Sequence, residues 1–142
     1  MDPLESVKQQ WAADCIIDEE KLDQESLKIP SLHAKYMDFY SKYNLILADN
    51  KSKLKIILRD KWIYYNGKAS PEVYRENPFD LKILKGDLQK FIEADEDIRT
   101  QVLKIEYFET LINYIDGILR QINSRTYHIK NALEHRRFEA GF

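Results

Sequence analysis

Positive and aromatic side chains are concentrated in the middle of the chain. Five bases lie within eleven residues, offset only by Asp60, and a sixth follows Gly67. Proteins that hold single-stranded nucleic acid combine phosphate neutralisation with base stacking, which is worth about 1–3 kcal/mol per base. This composition predicts a strand-binding segment over residues 51–68. Its candidate contacts are Lys51, Lys53, Lys55, Arg59, Lys61, Lys68, Trp62 and Tyr65.

The same stretch also suits an ordinary helix. Lys51, Lys55 and Arg59 recur every four residues, so on a helix they form one ridge that can follow a phosphate backbone. Trp62 and Tyr65 would equally serve as core aromatics beside a solvated row of lysines. Composition alone does not separate these two interpretations.

Charge is segregated along the chain, although the formal net charge is only −2. Residues 1–25 contain eight acids and two bases, residues 26–90 thirteen bases and seven acids, and residues 91–142 nine acids and seven bases. A basic middle third can attract polyanions even when the whole chain is slightly acidic. The charge pattern therefore agrees with a nucleic-acid partner without requiring one.

No residue cluster predicts catalysis, a metal site or a cofactor. His33, His128 and His135 lack the four-ligand spacing of structural zinc, and the single Cys15 has no nearby histidine. The acidic run EADED at 93–97 suits the start of a helix better than a magnesium site. Phosphate-binding glycine loops, zinc-protease motifs and nucleophile elbows do not occur in the sequence. We therefore predict a protein that is not an enzyme.

Long helices must position the basic segment, because the 142 residues include only four Gly and four Pro. Asp2 and Pro3 predict the start of a short helix to about residue 13, and Asp18 can cap a second, acidic turn. A long helix is predicted over 31–66. Its apolar stripe has steps of three and four residues, and two of its members, Asn50 and Lys61, are polar. The stripe consists of Leu32, Tyr36, Phe39, Tyr43, Ile46, Asn50, Leu54, Ile57, Lys61 and Tyr65.

Two further helices follow a predicted loop at 67–79. The first is predicted over 80–94, with an apolar face that includes Leu81 and Leu84. Asp95 or Asp97 then caps the longest helix, over 98–135. An isoleucine-rich stripe in this helix has the rhythm of a coiled coil, and β-branched residues at both seam positions favour assemblies larger than dimers. Its predicted oligomerisation residues are Ile105, Phe108, Ile112, Ile115, Leu119, Ile122, Ile129 and Leu133.

These patterns predict a mainly α fold, in which long helices form a bundle with a C-terminal coiled-coil-like oligomerisation helix. The stripe would also fit a bundle within one chain, and both arrangements can hold together. We expect one domain over 1–142, with N-terminal helices at 1–66 and C-terminal helices at 80–142. No apolar run approaches the roughly 18 residues of a membrane span, and no secretion signal begins the chain, so an intracellular protein without a membrane partner is expected.

Two separated motifs carry a family resemblance. "LRDKWIYYNG" at 58–67 and "SRTYHIKNALEHRRFEAGF" at 124–142 resemble the UvsY recombination mediator family of T-even-like bacteriophages. Within the second motif the likeness lies in Ser124 and Arg125, in Tyr127, Ile129 and Lys130, and in the closing Arg136 to Gly141. Agreement in length and helix placement extends over most of the chain.

The resemblance implies a non-enzymatic accessory factor in the cytoplasm of an infected bacterium. Such a factor binds single-stranded DNA as a ring-shaped homo-oligomer of six or seven subunits, and the C-terminal helical region drives its assembly. It helps to displace the phage single-strand-binding protein and loads the RecA-like recombinase UvsX.

The family's DNA-contacting basic pair corresponds to Arg59 and Lys61, with the two residue types in reversed order and Asp60 in place of a small apolar residue. A structural coiled-coil adaptor or virion assembly protein, without direct nucleic-acid contact, is the alternative that the residues leave open.

Overall fold

The computed structural model describes residues 2–142, and these residues form helices and connecting segments without any β-strand. The helices are α1 (Pro3–Asp14), α2 (Leu22–Leu27), α3 (Ile29–Tyr65), α4 (Pro71–Glu76), α5 (Leu88–Ala94) and α6 (Glu96–Glu139). The prediction of a mainly α chain is confirmed. Within residues 2–142, no helix is both long enough and apolar enough to cross a membrane.

The chain divides into two compact units. Unit 1 contains the residues up to Asn44 together with Glu109–Phe142, and unit 2 contains Leu45–Phe108. The long helices α3 and α6 each contribute one part to both units. The basic segment 51–68 lies wholly in unit 2.

The first helix begins as its sequence predicts. The Asp2 carboxylate accepts a hydrogen bond from the Leu4 amide at 2.9 Å, and Pro3 occupies the first helical position. The predicted acidic turn at Asp18 differs from the prediction, because this carboxylate accepts from the Glu20 amide in a turn and α2 begins only at Leu22. A side-chain bond to the second amide after Asp18 can close such a turn without starting a helix.

The core of unit 1 is built around the isoleucine stripe of α6. Tyr36, Leu111, Ile115 and Ile122 are fully enclosed, and Trp11 packs edge-on against Tyr36 with ring centroids 5.5 Å apart. Apolar burial at about 25 cal/mol per Å² is the main favourable term in such a core. The stripe thus stabilises the fold of a single chain.

The predicted oligomerisation residues lie mainly inside the chain. Phe108 is half-buried and Leu133 is 44% exposed, whereas the other six are buried. The buried members are Ile105, Ile112, Ile115, Leu119, Ile122 and Ile129. Buried side chains already have apolar neighbours, so contact with another copy through them would require the chain to open.

An aromatic cluster holds the C-terminal end of α3 in unit 2. The Tyr65 ring lies 5.1 Å from that of Phe79 and 6.1 Å from that of Phe91, and Tyr64 stacks on Tyr74 at 5.4 Å. The Tyr74 hydroxyl also donates to the Tyr64 carbonyl at 2.7 Å. The cluster ties α4, the segment that follows it and α5 to the last turn of α3.

Two sequence predictions in unit 2 are wrong in part. The predicted loop 67–79 contains α4, which begins with Pro71 directly after Ser70, a serine–proline pair that is a common helix start. The helix predicted over 80–94 forms only as α5, from Leu88. Gly86 disfavours the helix before that point by about 1 kcal/mol relative to Ala, and Leu81 and Leu84 remain exposed.

Candidate nucleic-acid interface

One face of α3 in unit 2 combines exposed cations with an exposed indole ring. At 3.6 residues per turn, five residues fall within about 100° of arc around the helix. All five are exposed, and Trp62 retains 45% of its surface. We call Lys51, Lys55, Leu58, Arg59 and Trp62 the α3 basic face.

Lys68 extends this face from the segment that follows α3. Gly67 ends the helix with a positive φ of 74°, which a residue without a side chain adopts readily. The Lys68 amide donates back to the Ile63 carbonyl at 3.1 Å, and the Lys68 ammonium lies 5.2 Å from the centroid of the Trp62 ring. A cation therefore sits directly beside the exposed indole.

Arg59 forms an ion pair with a neighbouring carboxylate at the surface. Its guanidinium lies 3.1 Å from the Asp60 carboxylate, and the side chain is 67% exposed. Exposed pairs of this kind contribute about 0–1 kcal/mol. A phosphate can therefore replace Asp60 at small cost.

Lys53 lies on a different side of α3 from the basic face. Its ammonium pairs with Asp49 one turn earlier at 3.0 Å, and both side chains are exposed. Since Lys53 is two residues from both Lys51 and Lys55, it is turned by about 200° from each of them. The structure thus separates Lys53 from the cations of the α3 basic face.

Lys61 and Tyr65 face α6 rather than the exposed surface of α3. The Lys61 ammonium lies 2.8 Å from Asp97 Oδ2 and 3.3 Å from Asp95 Oδ2, and the side chain is 24% exposed. The Tyr65 hydroxyl donates to Asp95 Oδ2 at 2.6 Å. The sequence-predicted pair Arg59 and Lys61 is therefore divided between two faces of one helix.

Asp95 is the polar centre of this packing. Its second oxygen accepts from the amides of Asp97 at 2.9 Å and Ile98 at 3.3 Å, which confirms the prediction that an aspartate here caps the last helix. Burial by itself would raise the pKa of Asp95, but the Tyr65 hydroxyl, the Ile98 amide and Lys61 together lower it below its usual value. Asp95 is therefore ionised in the folded protein at neutral pH.

The two side chains that donate to Asp95 are those of Lys61 and Tyr65. Burial would lower the pKa of the Lys61 ammonium, but its bonds to Asp97 and Asp95 raise it instead. Burial and the hydrogen bond to Asp95 both raise the pKa of the Tyr65 phenol. Both groups thus keep their protons at neutral pH.

A second polar contact lies further back along the same side of α3. The Gln101 side-chain amide donates to the Asn50 carbonyl at 2.9 Å and to its side-chain oxygen at 3.1 Å, and Asn50 is buried. Asn50 and Lys61 are the two polar members of the predicted α3 stripe. Their partners on α6, Gln101 and Asp97, were not identified from sequence, because no local pattern links residues so far apart.

Nothing in the part of the chain from Asp2 onward suggests a metal ligand set. No three His, Cys, Asp or Glu side chains of these residues are grouped so that they could hold an ion. The chemistry that the α3 basic face offers is phosphate neutralisation and ring stacking.

Comparison with known proteins gives a consistent match. Residues 10–142 match the family model described as recombination, repair and ssDNA binding protein UvsY. The recombination protein uvsY of Enterobacteria phage T4 is 25% identical over 138 residues, which cover 97% of this chain and 98% of that protein.

Solved structures show the same fold. A crystal structure of the bacteriophage T4 recombination mediator protein UvsY (lattice type II) matches with a TM-score of 0.85 and 25% identity, covering 99% of both chains. Another crystal form of that protein (lattice type IV) matches with a TM-score of 0.81 and 23% identity, over 98% of this chain and 99% of that one.

Replacement of Asp95 by Asn tests the carboxylate centre. Asn keeps an oxygen for the helix cap but loses the charge, so we expect Asp95→Asn to lower the free energy of unfolding at pH 7 by about 1–3 kcal/mol. Since the folded pKa is depressed, the charge contributes fully above the unfolded value of about 3.9. The contribution is lost as the pH falls through the folded pKa, so the difference from wild type shrinks in acid.

Urea unfolding at pH 7 and pH 3 measures this change. Asp49→Asn is the matched control, because Asp49 forms an exposed pair with Lys53 in the same unit and is expected to contribute at most about 0.5 kcal/mol. An equal loss at both pH values would contradict a stabilising role for the Asp95 charge.

Proposed function

Because the chain belongs to the UvsY family of recombination, repair and single-stranded-DNA-binding proteins, we propose that it is a recombination mediator. In this proposal it binds single-stranded DNA as a homo-oligomer and loads a RecA-like recombinase of the UvsX type onto strands covered by the phage single-strand-binding protein. It acts without catalysis in the cytoplasm of the infected bacterium. Residues 1–142 work as one mediator domain, with strand contact at 51–68 and self-association at 80–142.

The observation that supports strand binding is the α3 basic face. Lys51, Lys55 and Arg59 follow one another at four-residue intervals, about 6 Å apart along the helix axis. Such a row neutralises successive phosphates of a flexible strand, while Trp62 at its end offers a ring for one base. Nothing in this arrangement reads base edges, so binding is tolerant of sequence.

Self-association multiplies these weak contacts. One protomer offers only a few phosphate contacts, but several linked copies raise the effective concentration of each further site. We propose a closed ring of six or seven copies, as the family resemblance implies. Its array of basic faces would bend or wrap the strand into a form on which recombinase filaments nucleate.

The exposed C-terminal part of α6 is the surface that we propose for this association. Leu133 continues the stripe beyond the buried Ile129, and it is 44% exposed. Tyr127 and Phe138 are exposed and lie eleven residues apart, which places them on one side of the helix about three turns apart. The buried part of the stripe would support this surface from inside the protomer.

Loss of two cations from the basic face tests strand binding. The double variant Lys55→Ala/Arg59→Ala is expected to bind an unstructured oligonucleotide at least about tenfold more weakly at 0.1 M salt. The plot of log affinity against log salt should flatten by about 1.4 per protomer, because each phosphate contact on a single strand contributes about 0.7.

Fluorescence anisotropy across a salt series measures both quantities. The control Lys53→Ala/Lys90→Ala removes two exposed, acid-paired lysines from the same unit and should leave the slope unchanged. A wild-type protein that retains no oligonucleotide would instead favour the structural adaptor.

Trp62 is expected to stack on a base. Trp62→Ala should lose about 1–3 kcal/mol of binding free energy with an unchanged salt slope, because stacking involves no counterion release. Trp62→Phe retains a flat ring and should keep most of the affinity. Trp11 is the only other tryptophan, so strand-induced quenching that persists in Trp62→Phe would contradict this role.

Substitution of Leu133 tests the association surface. Leu133→Asp is expected to lower the sedimenting mass at micromolar protein and to leave the helical content unchanged, because a charge at an apolar contact must be desolvated. Leu27→Asp changes an equally aliphatic but 81% exposed residue of unit 1 as control. A wild-type monomer at that concentration would refute the assembly itself.

A further inference from the structure

Lys61 differs from the other bases of segment 51–68 in where it points. It is two residues from Arg59, and this spacing turns it by about 200° around the helix. Its side chain is 24% exposed, compared with 67% for Arg59. The two residues therefore meet different environments although they are close in sequence.

The ammonium of Lys61 bridges the start of α6. It contacts the carboxylates of Asp97 at 2.8 Å and Asp95 at 3.3 Å, and it also lies 5.7 Å from the centroid of the Tyr64 ring. Asp95 in turn accepts the Tyr65 hydroxyl and caps α6. Lys61 thus closes a polar network that joins the last turns of α3 to the first turn of α6 within unit 2.

The space around Lys61 is unfavourable for a polyanion. The cleft that Lys61 lines contains four acids and one other base, namely Asp60, Asp95, Glu96, Asp97 and Lys68. A phosphate entering here would face four carboxylates and would have to displace two of them from the ammonium. At Arg59 on the α3 basic face, a phosphate displaces the exposed Asp60.

We infer that Lys61 is a positioning residue that fixes the rotation of α3 against α6, and that it is not itself a phosphate contact. Held by Asp95 and Asp97, Lys61 keeps Arg59, which lies about 200° away around the helix, turned to solvent. The part of this inference that concerns DNA rests on the proposed function. The stabilising role follows from the ion pairs alone.

Two charge-removing substitutions separate the two roles. Lys61→Met keeps the aliphatic stem, and we expect it to lower the thermal midpoint by about 4–8 °C and to leave the salt slope of oligonucleotide binding unchanged well below that midpoint. Arg59→Met should do the reverse, with a midpoint within about 2 °C of wild type and a slope flatter by about 0.7 per protomer. Lys61→Arg should keep the thermal midpoint of the wild type, because a guanidinium can reach both carboxylates.

A double-mutant cycle identifies the partner. Lys61→Met and Asp97→Asn, singly and combined, should show non-additive midpoint changes, whereas Lys53→Met and Asp49→Asn should be additive because that pair is exposed. If Lys61→Met does not fold, Asp97→Asn removes the same ion pair from its other side, and its midpoint still tests the stabilising role.

Two outcomes would overturn the inference, and a third concerns only the proposed function. A Lys61→Met protein with an unchanged midpoint and a flattened slope would overturn it, as would additive effects of Lys61 and Asp97. If the wild-type protein binds no strand, the proposed function fails, and the cycle still decides whether Lys61 holds α3 to α6.

Discussion

The orientation of the α3 basic face depends on one buried carboxylate. Asp95 receives the Tyr65 hydroxyl, the Lys61 ammonium and two amides of the first turn of α6. Burial of a charge is costly unless the charge is paired and hydrogen-bonded, and loss of one partner leaves the remaining groups uncompensated. This requirement restricts the rotation of α3 in unit 2. It thereby determines which of its lysines and aromatic rings reach solvent.

Opposite charges lie on different sides of α3, so only one side of this helix attracts a strand. Lys61 is held by Asp95 and Asp97, whereas Arg59, about 200° away around the helix, pairs with Asp60 at the surface. The acids therefore oppose a phosphate that enters the cleft, whereas a phosphate at Arg59 displaces the exposed Asp60.

The isoleucine stripe of α6 shows that one spacing of apolar residues fits two kinds of helix packing. Steps of three and four residues describe a helix in a chain's own core as well as a coiled coil between chains. In this protein, unit 1 encloses Ile112, Ile115 and Ile122, and the stripe emerges only near Leu133. A chain that shares 25% of its residues with the phage T4 protein keeps the same fold, with a TM-score of 0.85, because helix packing depends on volume and pattern more than on residue identity.

The sequence by itself determined what depends on local order along the chain. Helix periodicity located α3 and α6, and Asp2 was recognisable as a cap, as was Asp95 or Asp97 at the start of α6. The motifs at 58–67 and 124–142 indicated the family that the comparisons confirm. Even the packed position of Lys61 had a signal, because Lys61 falls on the apolar stripe of α3. Lys61 also belongs to a basic run, and sequence alone does not rank the two features.

Only the tertiary structure decided which partners these residues have. The contacts of Lys61 with Asp97 and of Asn50 with Gln101 join residues 36 and 51 positions apart, and such pairs depend on how two helices pack. The helix predicted over 80–94 forms only from Leu88, and Leu81 and Leu84 before it stay exposed. Local pattern states which side of a helix is apolar. The free energy that decides whether that side is buried, paired or exposed comes from residues distant in sequence.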